Sequence, residues 1–69
     1  MKMKIKGKDL LIKMASIGLN RSGLSKEIGV SKQVVGQYIN GITNPSPKIA
    51  VKICSILNCD FEDLFYAED

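Results

Sequence analysis

The feature that most limits what this chain can fold into is how often it is interrupted. Gly7 precedes a stretch, about Lys8 to Ile17, in which Leu10, Met14 and Ile17 recur at i, i+4 and i+7, the spacing of an amphipathic helix. Gly18 ends it. Asn20 is an N-cap for a second short helix, about Arg21 to Ile28, with Leu24 and Ile28 facing inward and Gly29 where a helix end favours a left-handed residue. Ser31 caps a third helix to about Asn40, stopped by Gly41, and Ser46-Pro47 opens a fourth that runs to about Leu57. Ala50, Ile53, Cys54 and Leu57 share one face of it, with Val51 beside them. Asp60 caps a last short helix through Phe65, closing the core with Phe61, Leu64 and Phe65. Met3 to Ile5, where Lys alternates with apolar residues, reads equally as a short edge strand or a frayed tail. The expected fold is all-α: a compact bundle of four or five short helices, with or without that strand.

With 69 residues the chain is expected to be one domain, residues 1–69, with a small core. It has no His, which removes Ser-His and Cys-His nucleophilic chemistry and the commonest zinc ligand. Cys54 and Cys59 have no further sulfur to complete a metal site. Neither an enzyme, a metal site nor a cofactor is therefore expected. Nothing near Met1 reads as a signal peptide, and no apolar run is long enough to span a bilayer. A reducing cytoplasm with both thiols free is the simplest setting.

The net charge of +3 conceals a strong asymmetry. All ten basic residues lie at or before Lys52, opposed there only by Asp9 and Glu27, so residues 1–52 carry +8. Residues 53–69 carry Asp60, Glu62, Asp63, Glu68 and Asp69 without a base, or −5. Such polarity suits a polyanion at one face and an acidic end held away from it.

The second and third helices, joined by Gly29-Val30-Ser31, are too short for a long antiparallel hairpin and fit a helix-turn-helix over about residues 20–40. In the third, Val34, Val35, Tyr38 and Ile39 gather on one side; Gln33, Gly36, Gln37 and Asn40 gather opposite, with Lys32 at the edge. A merely solvated face would usually carry Glu-Lys pairs, and its glycine would cost about 1 kcal/mol of helix stability for no return. Amides and cations without an acid are the side chains that read base edges in a major groove, which makes Lys32, Gln33 and Gln37 the candidate base readers.

Residues 19–46, Leu-Asn-Arg-Ser-Gly-Leu-Ser-Lys-Glu-Ile-Gly-Val-Ser-Lys-Gln-Val-Val-Gly-Gln-Tyr-Ile-Asn-Gly-Ile-Thr-Asn-Pro-Ser, closely resemble the helix-turn-helix of the Cro/cI-type (XRE) regulators. The most specific pieces are Gly29-Val30-Ser31, Asn40-Gly41 and Asn44-Pro45-Ser46, and the likeness extends over roughly residues 8–65. It implies a lambda-repressor-like domain in which Lys32, Gln33 and Gln37 stand at base-reading positions. It also implies DNA-backbone contacts from Asn20, Arg21, Ser31, Asn40, Thr43 and Asn44. Arg21 stands where the family usually has Gln, and Ser31 serves first as a cap. The sequence departs from the family where many members place a buried Arg-Glu pair: here those positions are Met14 and Ile39, and replacing both charges by hydrocarbon is often neutral or stabilising.

One such domain touches few bases, so two copies on half-sites about one helical turn (~34 Å) apart are expected. The C-terminal helix and tail, residues 60–69, are the expected dimer contact, with Phe65 and Tyr66 as candidate residues and Phe61 as core. With the chain ending soon after Phe65, no sensor domain is expected to follow. The function expected is a cytoplasmic transcriptional repressor that binds a palindromic double-stranded operator as a homodimer. The alternative is a protein-interaction module, of antitoxin type, using the helix-turn-helix as scaffold.

Overall fold

The computed structural model describes residues 2–69. The chain runs β1 (Lys2–Ile5), α1 (Gly7–Ser16), α2 (Arg21–Ile28), α3 (Lys32–Ile39), α4 (Pro47–Leu57), α5 (Phe61–Leu64) and β2 (Phe65–Glu68). Five short helices enclose one core, and a two-stranded sheet clasps the two ends of the chain together.

Helices of eight to eleven residues are marginal alone. Their ends must therefore be satisfied locally. At the N-termini, Asn20 Oδ1 accepts from Gly23 N at 2.7 Å, Ser31 Oγ from Val34 N at 3.1 Å and Ser46 Oγ from Ile49 N at 3.4 Å. The C-termini of α1 to α4 share one device, a left-handed residue (Gly18, Gly29, Gly41, Asn58) that turns the chain back under the last turn. The next amide then closes on a carbonyl five residues earlier: Leu19 on Met14 at 2.9 Å, Val30 on Ser25 at 3.1 Å, Ile42 on Gln37 at 2.9 Å and Cys59 on Cys54 at 3.1 Å.

The core is formed by Leu10 and Met14 of α1, Leu24 and Ile28 of α2, Val35 and Tyr38 of α3, Ala50, Ile53, Cys54 and Leu57 of α4, and Leu64, joined by Ile5 and Phe65 from the strands. Met14 is fully enclosed, while Ile39 is half-buried at the core edge. Three residues expected inside lie outside. Ile17 is 53% exposed because α1 ends at Ser16 and the chain turns away, and Val51 is 62% exposed because it sits around the helix from the Ala50–Cys54 stripe. Phe61, at 36% exposure, covers Phe65 from outside, the two rings stacked with centroids 4.6 Å apart.

The last helix also stops one residue before its expected end. Phe65 is extended (φ −133°, ψ 153°) and opens β2, which pairs antiparallel with β1 in the register Lys2–Glu68, Met3–Ala67, Lys4–Tyr66, Ile5–Phe65. The edge strand is therefore present, and its partner begins at the residue expected to end the last helix. Lys6 N donates to Leu64 O at 2.7 Å, and the amide of Ile5, which points away from β2, is taken by Asn44 Oδ1 at 2.8 Å.

Gly7 and Cys54 have consequences beyond packing. A Cβ on Gly7 would overlap the carbonyl of Ile39, so the start of α1 rests directly on the backbone end of α3. Gly7→Ala is expected to lower the unfolding free energy in urea by about 1–3 kcal/mol, although alanine is the better helix former. Burial first, then the neighbouring Cys59 thiol and the Asp63 and Asp60 carboxylates, push the Cys54 thiol up to about 11 from 9.0. The unfolded chain thus loses this proton earlier than the folded one, so stability is held below about pH 9 and falls as pH rises towards about 11. Cys54→Ala should flatten that decline in urea midpoints measured across the interval.

Candidate nucleic-acid interface

The cap bonds of Asn20 and Ser31 start α2 and α3, and the Gly29 turn sets the two helices against each other. Val35 and Tyr38 anchor α3 in the core, with Val34 and Ile39 half-buried at its flanks. The opposite face is left free. Lys32 and Gln33 are exposed and Gln37 is half-buried. All three line one shallow, open concavity with Arg21, Gly36, Asn40 and Ile42, and no acid is among its lining residues. The three expected readers thus stand together, with Arg21 brought to them from the start of α2.

Arg21 reaches α3 at Gly36: a Cβ built on that glycine would find only an Arg21 guanidinium nitrogen, 3.8 Å away. That is ordinary van der Waals distance, so internal packing does not require glycine here. Gly23 in α2 differs, because a Cβ there would come within 2.8 Å of Leu19 Cδ1 and 3.2 Å of the capping Asn20 oxygen.

The charges follow a pattern that works against helix stability. Arg21 is the first residue of α2, Lys32 the first of α3 and Lys48 the second of α4, and none of these three helices has an acid in its first turn. A cation at a helix N-terminus opposes the macrodipole. By contrast α5, at the far end of the chain, carries Glu62 and Asp63 in its first turn, and Asp63 Oδ2 accepts from Asp60 N at 2.9 Å.

The expected backbone residues divide. Asn40 lines the concavity; Thr43 is exposed in the loop beyond it. The side-chain oxygens of Asn20 and Ser31 are committed to caps, leaving the Asn20 amide and the Ser31 hydroxyl hydrogen for any outside partner. The Asn44 oxygen is likewise committed, accepting from the Ile5 amide, while the residue is exposed and its side-chain amide is left for an outside partner. Of the two candidate dimer residues, Phe65 is only 4% exposed and belongs to the monomer core, whereas Tyr66 is 45% exposed. Tyr66 borders a groove of about 340 Å³ with Met3, Phe61, Glu62, Phe65 and Ala67, and Phe61, expected in the core, is exposed along it. Ile42, unremarked in the sequence, is a lining residue of the polar concavity. Among the described residues no group of side chains could hold a metal ion, and no helix is long and apolar enough to cross a membrane.

Comparison with known proteins places this geometry. The family model for the helix-turn-helix (HTH_3) matches residues 9–64. The chain is 34% identical over 67 residues to an uncharacterized HTH-type transcriptional regulator, YgzD, of Bacillus subtilis, covering 97% of both chains. It is also 34% identical over 55 residues to an uncharacterized HTH-type transcriptional regulator of Archaeoglobus fulgidus, covering 80% of this chain and 79% of that one. In fold it is similar to the restriction-modification controller protein C.AhdI from Aeromonas hydrophila, with a TM-score of 0.74 at 23% identity over 83% of this chain and 86% of that one. With its capped α2–α3 pair and a matched span that takes in all five helices but the first two residues of α1, the chain belongs to the HTH_3 (XRE-type) family of helix-turn-helix transcriptional regulators.

Proposed function

We propose that this regulator is a cytoplasmic repressor that binds a palindromic operator as a homodimer, with α3 in the major groove. The observation that carries the reading is the set of cations at the starts of α2, α3 and α4. Arg21, Lys32 and Lys48 each sit where the macrodipole costs about 0.3–1 kcal/mol, and no acid in the same first turn offsets them. A phosphate backbone recovers that cost, because the same helix ends then supply N–H donors to it. Lys32, Gln33 and Gln37 read base edges; Arg21 and Asn40 hold phosphates, with the Asn20 amide, the Ser31 hydroxyl and Thr43 at the margins. Asn44, whose oxygen positions the loop, adds its side-chain amide to these backbone contacts.

The dimer reading rests on the sheet end. Tyr66, Met3 and Phe61 present an apolar groove on the same end as the acidic tail. The subunit measures 32 × 22 × 20 Å, so two copies fit side by side on half-sites one turn (~34 Å) apart. The same groove is what a protein-interaction module would use, and DNA affinity separates the two readings.

Three measurements test the proposal on a site selected from random DNA. Affinity should fall steeply between about 50 and 200 mM salt, as expected for about four to six phosphate contacts per subunit. Lys32→Ala or Gln33→Ala should cost about 1–3 kcal/mol on the selected site and little on random DNA, while Arg21→Ala weakens both alike. If none of the three changes affinity, the interaction-module reading stands. Gly36→Ala should stabilise the fold by up to about 1 kcal/mol while weakening DNA binding. A gain in stability with unchanged affinity would show that DNA does not approach the backbone there.

A further inference from the structure

Four helices close with the same C-terminal turn, and in three of them the residue that completes it is covered by protein. Leu19, Val30 and Cys59 are half-buried against the core. Ile42, the equivalent residue after α3, is 68% exposed. In this turn the residue beyond the left-handed position ordinarily rests on the side chain whose carbonyl it binds, as Cys59 lies beside Cys54 at the end of α4. At the end of α3 that side chain is Gln37, and the one before it is Gly36, so Ile42 has no apolar surface to lie on. It is nevertheless held in place, its amide bonded to Gln37 O at 2.9 Å.

A lone exposed isoleucine would need no explanation. This one is the single apolar side chain larger than glycine lining the concavity formed by Arg21, Lys32, Gln33, Gln37 and Asn40. We infer that Ile42 is a specificity residue that packs on the 5-methyl group of a thymine, beside the base pair read by Gln37. The thymine methyl is the apolar group that base pairs display in the major groove, and the residues around Ile42 are those assigned to base edges and phosphate. This inference rests on the DNA-binding reading and adds an apolar element to a surface otherwise made of amides and cations.

The test uses the full chain and a site selected from a random DNA pool, with each thymine of the half-site replaced singly by deoxyuridine. That change removes the methyl and leaves every hydrogen-bonding group in place. One position should weaken binding by about 3- to 10-fold. Ile42→Ala should weaken binding to the thymine site by a similar factor and should be indifferent to the deoxyuridine change at that position. Its melting temperature should be unaltered, since the side chain is exposed and any residue supplies the amide. Equal losses for Ile42→Ala on the thymine and deoxyuridine sites would overturn the assignment and point to a sugar contact, as would a selected site with no deoxyuridine-sensitive position. A pool with no enriched site would remove the DNA-binding reading itself, and this inference with it.

Discussion

The approach of Gly7 to the Ile39 carbonyl brings the start of α1 onto the end of α3 with no side chain between them, and the position of α3 depends on it. The two helix ends that meet carry opposite partial charges, so the junction is electrostatically favourable as well as close. A second tie acts a few residues later, where Asn44 takes the Ile5 amide and fixes the loop after α3 to the N-terminal strand. Through Lys6 and Leu64 the strand in turn holds the C-terminal segment. The end of α3 is therefore braced by residues remote in sequence, while its exposed face makes no contribution to the core. Separating bracing from the exposed face in this way allows that face to vary without loss of fold.

Much of this was legible in the sequence because it is local. Asn20, Ser31 and Ser46 state where helices begin, and Gly18, Gly29 and Gly41 where they end, through interactions spanning a few residues. The α3 faces followed from helical periodicity, which is why Lys32, Gln33 and Gln37 were found together. The misread features depend on partners distant along the chain. Phe65–Glu68 is a strand because Lys2–Ile5 lies beside it, and the four residues alone do not distinguish that from the last turn of a helix. Phe61 left the core because stacking on Phe65 leaves its other face to solvent. The bond from the Ile5 amide to Asn44 was not legible because no local signal announces an unpaired strand amide thirty-nine residues earlier.

Cys54 and Cys59 show how a familiar sequence signal acquires a plain physical meaning. Their spacing is that of the closing turn of α4: the Cys59 amide binds the Cys54 carbonyl, and the thiols meet as the apolar contact of that turn. Burial raises both thiols above their ordinary value, which keeps them protonated and poorly nucleophilic near neutrality. Both cysteines are free, and their role here is packing.

The charge asymmetry then follows from the same architecture. A helix opened by a cation is less stable than one opened by an acid, and α2, α3 and α4 all accept that loss while α5 does not. Lys13 and Lys26 sit in the last turns of α1 and α2, where the dipole favours them; Arg21, Lys32 and Lys48 do not. Arg21 and Lys32 at first turns, with five of the seven acids in residues 60–69, give the end that carries the concavity positive helix termini with no acid in the same turn. The other end has balanced or negative charge beside an apolar groove. One end suits a polyanion and repels a copy of itself. The other lacks that repulsion and carries the apolar surface that association needs, so the division of charge along the chain bears on how two subunits would be oriented as well as on what they bind.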